Sequence, residues 1–388
     1  MRICLVVDSA DSVFVCNYAK WLKINDKNAI IEIIELLESK TKNGFEIYDN
    51  VITLSSRSYG RWGIHFRNQL PWLFRRRAKE KIKGKSYDII HYHNLLPLSL
   101  SIADVVNKHG RRVCATFWGG ELEIQRFRGS HRLYMDKLKH FLGNIDCLIN
   151  SQPFFVKLET IIPLPNSLRL FSATFGAAPM ECLNELMAVE TKEESKRICQ
   201  LPADKISVMI GYSGKKLHQH IQIINILKKS AFLKDKIHLV LPFTRDSFEA
   251  YTDIVESAAE KSGYSYTFLK NVFLSDSDVA RLRNATDIVL QLSTFDGFSR
   301  SILECLFAKS VVIYGSWLDY NNYLKDNKCF AIPVESMDEC SQVLETIASE
   351  PHKYDEETNL NNINIGKKGL WSYCIKDWIN CYKTLLDD

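Results

Sequence analysis

The chain has 388 residues, 46% of them hydrophobic and 25% charged, with a net charge of +4. These are ordinary globular values that exclude a disordered or fibrous chain, and the length fits two domains of common size. Its 11 cysteines run from Cys4 to Cys381 with no Cys-x-x-Cys pair, a pattern that disfavours disulfide frameworks and zinc sites and fits a reducing cytosol.

The charge is unevenly spread. Residues 1–180 carry 26 Lys and Arg against 16 Asp and Glu, and the remainder carries 24 against 30. A basic half followed by a mildly acidic one argues for two domains with different partners. The apolar run at Ile3–Val7 is too short for a signal peptide, and no uncharged segment is long enough to span a bilayer. The expectation is a cytoplasmic protein, at most resting on the inner face of the plasma membrane.

Strand and helix signals alternate, as in a parallel sheet covered by helices. Ile3–Val7 reads as a strand and Asp8–Ser12 as a polar loop, followed by a helix through Tyr18, Trp21 and Leu22. Ile30–Leu37 is helix or strand; periodicity does not decide. Residues 61–85 hold nine basic side chains and one acid, Glu80, interleaved with Trp62, Phe66, Leu70, Trp72, Leu73 and Phe74. Basic residues beside interfacial aromatics suit an anionic membrane surface. A nucleic-acid patch would look alike, but no nucleic-acid module accompanies it, so nucleic acid is not an expected partner. A solvated basic helix with its apolar face in the core remains open.

Tyr87–Tyr92 is a strand ending at His93. His91 and His93 alternate along it and so point to one side. No third ligand is evident, so no metal is expected there; His93 is read as facing a ligand cleft and His91 as packed. Arg112–Phe117 is a strand ending in Trp118-Gly119-Gly120-Glu121, where two glycines permit close approach to a ligand or form a simple turn. Asp146–Asn150 is another strand. Prolines 153, 163, 165 and 179 then punctuate a weakly periodic stretch, which places the domain boundary within 160–200.

The second half opens with the strand Ile206–Ile210 and the turn Gly211-Tyr212-Ser213-Gly214-Lys215-Lys216. A glycine turn bearing lysines is a cradle for a diphosphate, or a plain turn with solvated lysines. It is neither a Walker A sequence nor a G-x-G-x-x-G fingerprint. His218 and His220, two apart at the start of the helix His220–Lys228, would not share a face and are poor metal ligands. Strand His238–Leu241, helix Phe248–Lys261 and strand Tyr266–Leu269 follow, and Ser275-x-x-Asp278 opens a helix over Val279–Asn284.

The strand Ile288–Gln291 leads to the most informative stretch, 291–313. Asp296 and Glu304 lie eight positions apart across a glycine-containing loop that opens into a helix. A helix start offers unpaired N–H groups and a positive dipole end to phosphate. Flanking carboxylates would accept hydrogen bonds from sugar or ribose hydroxyls, a combination that suits a nucleotide-sugar. Two plainer readings stand beside it: Ser301-x-x-Glu304 as a capping box, and Asp296 as a turn residue. Strand Val311–Tyr314 and an aromatic-rich final helix, Leu370–Leu386, complete the chain. Two doubly wound units in tandem would present the carboxyl ends of their strands, where ligands bind, across a cleft.

With those residues in place, the chain resembles the retaining glycosyltransferases of the GT-B fold, most closely family four. The likeness runs through Val6-Val7-Asp8-Ser9, Tyr87-Asp88-Ile89-Ile90-His91-Tyr92-His93, Phe117-Trp118-Gly119-Gly120-Glu121 and Ile210-Gly211-Tyr212-Ser213-Gly214. Its most specific part is the acid pair, which matches the family's Glu-x7-Glu pattern with Asp296 at the first position. The resemblance implies two Rossmann-like α/β domains facing a central cleft. An acceptor-binding domain at 1–180 would be joined by a final helix, 370–388, that crosses back onto it, and a nucleotide-sugar-binding domain would occupy 181–369.

It further implies transfer of a sugar from a nucleotide-diphosphate donor to a glycan or lipid-linked acceptor, with retention, without cofactor or metal, in bacterial surface polysaccharide or lipopolysaccharide synthesis. Glu304 would hold the ribose hydroxyls and Asp296 those of the donor sugar. Backbone N–H groups of Gly297, Phe298, Ser299 and Arg300, with Ser213, Gly214 and Lys215 or Lys216, would bind the diphosphate. Lys270 and Asn271 would lie in the loop that reads the base. Asp8, Ser9, His93, Trp118, Gly119 and Gly120 would face the acceptor. The chain departs from the family in Asp296 itself, in Tyr212 where an arginine is common, and in Trp118 where many relatives carry histidine; the first loop also lacks the usual glycine pair. A sugar-nucleotide epimerase or a catalytically degenerate binding subunit would share the architecture.

Overall fold

Runs of β-branched and other apolar residues make the strands, and the burial of whole strands shows why they alternate so little: both faces of each sheet are covered by helices. The computed structural model describes residues 1–55, 71–118, 131–244, 248–270, 272, 274–296, 299–318 and 320–387, without the side chains of His131, Gln152, Pro153 and Lys157. The chain divides into two units, residues 1–176 with 371–388, and residues 177–370.

Unit 1 is a seven-stranded parallel sheet of β1 (Arg2–Val7), β2 (Ile30–Glu35), β3 (Asn50–Thr53), β4 (Tyr87–His93), β5 (Gly110–Thr116), β6 (Cys147–Asn150) and β7 (Arg169–Ser172). Its strand order is β3-β2-β1-β4-β5-β6-β7. Unit 2 is a six-stranded parallel sheet of β8 (Ile206–Ile210), β9 (Ile237–Phe243), β10 (Ser265–Lys270), β11 (Ile288–Gln291), β12 (Val311–Gly315) and β13 (Ile332–Val334), in the order β10-β9-β8-β11-β12-β13. Each order reverses direction once, between β1 and β4 and between β8 and β11. Those are the switch points at which doubly wound sheets hold ligands.

The ambiguous segment at Ile30 resolves as strand β2, pairing residue for residue with β1. The weakly periodic stretch hides β7 and two helices, Ala178–Met187 and Lys192–Ile198. The second of these helices begins with a full capping box between Thr191 and Glu194. Ser275 and Asp278 form the expected box as well, and start their helix at Asp276. All eleven cysteines are free. Among the described residues no helix is long and apolar enough to cross a membrane.

The last helix, Trp371–Asp387, packs into unit 1. Trp371, Ile375, Trp378, Tyr382 and Leu385 recur at helical spacing and are buried against β1 and the helix Val13–Asn25. A hydrogen-bonded chain fixes the register of that packing. The Tyr382 hydroxyl meets the Tyr18 hydroxyl and lies 2.5 Å from His91 Nδ1, while His91 Nε2 lies 2.8 Å from Thr116 Oγ1. Gly176, where the chain leaves unit 1, sits so close to this helix that a Cβ would fall 2.4 Å from Trp371 Cγ. Only glycine permits that approach.

Among the described residues five histidines are buried: His91, His93, His218, His220 and His238. Burial drives the His91 pKa well down, those of His93 and His220 to about 3, and those of His218 and His238 to about 4. All five are therefore neutral when folded, whereas the unfolded chain takes up a proton on each near pH 6.5. The unfolded state binds more protons below that value, so stability is present above about pH 6.5 and is lost as pH falls toward the folded-state values. Thermal melts between pH 8 and 5 are expected to show Tm falling on the acid side of about 6.5. His93→Phe should flatten that slope with little loss at pH 8, because neither ring nitrogen of His93 has a hydrogen-bond partner among the described residues. An unchanged slope would remove His93 from this account.

Candidate active site

At the unit 2 switch point the chain leaves β8 through Gly211, whose φ of +63° and whose contact with the His218 ring, 2.7 Å from a built Cβ, both demand glycine. This turn packs beside the loop that leaves β11: the Thr294 N–H donates to the Leu217 carbonyl at 2.9 Å. Asp296 ties the two together. Its Oδ1 accepts from the Tyr212 hydroxyl at 2.6 Å, and its Oδ2 accepts from the Ser299 N–H at 3.0 Å and from the Tyr320 hydroxyl. Gln291 Nε2 in turn donates to the Tyr320 hydroxyl and to Ser293 Oγ, each at 3.1 Å.

The helix Arg300–Phe307 starts at this node. Ser299 is its N-cap, and no side chain caps it. The capping box proposed for Ser301 and Glu304 is not formed, because Ser301 already lies inside the helix. Three buried polar atoms around the node have no hydrogen-bond partner among the described residues: Ser299 Oγ, Gln291 Oε1 and His218 Nδ1. His218 Nε2 lies 3.1 Å from Ser213 Oγ, and burial holds the ring neutral even though Asp296 draws its pKa upward. Orphan polar atoms of this kind, gathered at a switch point, mark a place prepared for a polar ligand.

Of the site residues read from the sequence, Asp296, Ser299, Arg300, Ser213, Gly214 and Lys215 meet in this region. Lys215 and Lys216 are exposed, and Lys216 Nζ sits 5.6 Å from the centre of the Tyr251 ring. Lys270, at the end of edge strand β10, pairs with Glu256 at 2.5 Å. Asn271, Gly297 and Phe298 lie outside the described residues.

Glu304 is largely buried: the residue is 6% exposed and its Oε2 accepts from Arg283 Nε at 3.1 Å. Helical spacing turns position 304 toward the helix Asp276–Asn284, where Arg283 needs a counter-charge. The pair bolts two helices together inside unit 2.

The reading also missed Tyr212 as a ligand of Asp296, and Tyr320 and Trp317 altogether. The Trp317 N–H donates to the Ser293 carbonyl at 2.8 Å, while the residue stays 43% exposed at the carboxyl end of the sheet. A tyrosine or tryptophan just after a strand carries little signal unless its partner loop is known.

In unit 1, Asp8 and Asn94 meet at the β1/β4 switch point, where Asn94 Nδ2 donates to Asp8 Oδ2 at 2.8 Å. Ser9 Oγ donates to Asp11 Oδ1 at 2.5 Å. His93, read as facing a ligand, is fully buried, its ring centre within 6.5 Å of those of Tyr18, His91, Trp118, Phe175 and Trp378. His91 is packed and satisfied as expected. Trp118 is partly exposed and meets Phe14 edge-on at 5.6 Å. Gly119 and Gly120 lie outside the described residues.

Solved structures of the same architecture are known. Sucrose-phosphate synthase from Thermosynechococcus elongatus superposes with a TM-score of 0.66 at 12% identity, covering 100% of this chain and 99% of that one. A glycosyltransferase from Rickettsia africae gives 0.67 at 15%, with the same coverage. The Anabaena protein HepE in complex with UDP and glucose gives 0.64 at 14%, covering 99% and 100%. The fold is GT-B. No family model matches the sequence, and no curated protein is detectably similar to it.

The two motif acids can be separated by experiment. Glu304→Ala leaves Arg283 buried without a counter-charge and is expected to cost about 3–5 kcal/mol in urea melts. The double change Arg283→Met with Glu304→Leu should recover most of that loss. Wild-type stability in Glu304→Ala would show that the pair is not structural.

Proposed function

We propose that this chain is a retaining glycosyltransferase that takes a sugar from a nucleotide-diphosphate donor held by unit 2. One observation carries the reading. The uncapped start of the Arg300–Phe307 helix lies at the β8/β11 switch point beside a lysine-bearing glycine turn, with Ser299 Oγ unsatisfied. Helix-start N–H groups and Lys215 neutralise the diphosphate, and electrostatic stabilisation of that leaving group is the main catalytic contribution. Such a site needs no metal. Asp296 keeps the loop in shape through three of its acceptor positions and offers the remaining one to a donor-sugar hydroxyl. Glu304 stays with Arg283 and supports the helix from below. The GT-B fold and the likeness to HepE, solved with UDP and glucose, support this reading.

Unit 1 takes the acceptor in this reading, and the acceptor is a lipid-linked glycan of surface polysaccharide synthesis. The helix Pro71–Lys81 supports it. Phe74 and Ala78 anchor the helix, while Trp72, 58% exposed, shares the outward face with Arg75, Arg76 and Lys79. The opposite flank is structural: Arg77 donates to the Leu54 carbonyl at 3.0 Å and Lys81 to the Thr53 carbonyl at 2.7 Å. A tryptophan among cations suits an anionic bilayer surface. Residues 61–70 of the same basic segment lie outside the described residues.

A second reading, a donor-binding subunit without turnover, is favoured by the internal commitments of both motif acids. A panel of nucleoside diphosphates in thermal shift decides whether unit 2 binds a donor: a ligand at about 100 times its Kd raises stability by about 2.7 kcal/mol. Asp296→Ala should weaken that binding at least about tenfold. Nucleotide release that depends on added acceptor identifies the transferase, donor conversion without acceptor an epimerase, and binding without release the inert subunit. If no nucleotide raises Tm, the proposal fails.

The membrane contact has its own test. Co-sedimentation with anionic vesicles should decline as salt rises and be lost in Trp72→Ala. Binding indifferent to lipid charge would contradict it.

A further inference from the structure

Trp317 is the only tryptophan in residues 177–370. It stands in the loop that leaves the carboxyl end of β12, and 43% of it is exposed. A tryptophan left open to that extent forgoes much of the stabilisation its burial would bring.

The ring is nevertheless held at two points. Its N–H donates to the Ser293 carbonyl at 2.8 Å. Its benzene edge lies against the backbone of Gly315, where a Cβ would fall 2.2 Å from Cζ2 and 2.3 Å from Cε2, so a side chain at 315 would displace the indole. An exposed side chain ordinarily keeps its rotamer freedom and loses it on binding, at a cost in affinity. This one is fixed beforehand, with part of its surface still open.

The same contacts fix where the open ring stands. β11 and β12 pair in parallel, with Gln291 opposite Tyr314. The pairing continues beyond the strands: Trp317 bonds to Ser293, and three residues further along both loops Tyr320 bonds to Asp296. Trp317 is therefore carried alongside the Asp296 loop. In the sheet order β8 lies on one side of β11 and β12 on the other, so the lysine-bearing turn and the indole approach that loop from opposite sides.

The two sides offer different chemistry. The turn with Lys215, beside the helix start, suits phosphate. A carboxylate acceptor beside a fixed aromatic face suits a pyranose. Its hydroxyls spread around the ring edge, and its axial C–H groups form an apolar face that the electron-rich face of indole attracts. A nucleobase would also stack on indole, but the diphosphate separates base from sugar, and Trp317 stands on the loop of the acid that addresses the sugar.

We propose that Trp317 is the platform on which the donor's sugar ring stacks while Asp296 accepts from one of its hydroxyls, and that the donor is a nucleoside diphosphate pyranose. This inference rests on the donor reading of unit 2 and adds to it the class of sugar and the residue that recognises its apolar face.

Isothermal titration of the full chain with matched pairs tests it: UDP with UDP-glucose, ADP with ADP-glucose, GDP with GDP-mannose and dTDP with dTDP-glucose. For the base that binds, the sugar should tighten binding at least about fivefold. Trp317→Ala should reduce that gain to within about twofold and leave the affinity for the bare diphosphate within about twofold of wild type. Trp317→Phe, which keeps an aromatic face without the N–H, should retain part of the gain. A merely structural role for Trp317 would weaken both members of the pair alike. That outcome, a sugar gain that survives Trp317→Ala, a phenylalanine variant as poor as alanine, or no sugar gain in the wild type would overturn the proposal and leave the donor reading standing. Binding of neither member of any pair would sink both together.

Discussion

The second unit is organised around a single carboxylate. Asp296 gathers donors from three places in the chain: Tyr212 after β8, Ser299 at a helix start, and Tyr320 beyond β12. Each of those segments leaves the carboxyl end of a different strand or begins the next element, and Asp296 holds them to one another. A carboxylate with three hydrogen bonds is held in place. An aspartate at position 296 suits this arrangement. The shorter side chain keeps the carboxylate close to its own loop, within reach of the Ser299 N–H.

The other motif acid works inward. Arg283 and Glu304 are both buried, and each makes the other tolerable. Ion pairs of this kind add little net stability compared with apolar packing, but removing one partner is costly. They fix which helix faces which. The Arg300–Phe307 helix therefore has its start shaped by Asp296 and its underside by Glu304, and the spacing of eight residues reflects both duties.

Much of this architecture was legible in the sequence. Alternating apolar runs identified two parallel sheets, and the strands Ile206–Ile210 and Ile288–Gln291 were placed to the residue, because fully buried strands flanked by turns leave a clear mark. The loop at 291–300 was recognisable from its acids and from the helix behind it. What escaped were facts of the third dimension. Position 304 pairs with Arg283, 21 residues earlier, and pattern alone does not reveal that pairing. His93 has the strand position of an exposed residue, but the aromatic side chains of the first and last helices close over it. The stretch at 160–200 looked irregular because β7 is a short edge strand with only alternate residues partly buried.

The return of the chain into unit 1 has a consequence for biogenesis. Ribosomes deliver residues in order, so the whole of unit 2 emerges before Trp371, Trp378 and Tyr382 are available to cover β1 and Tyr18. The earlier-made half must wait with a large oily face uncovered while the later-made half completes itself. That interval is a natural window for chaperone capture, and a premature stop anywhere upstream of residue 371 would strand the nascent protein in it.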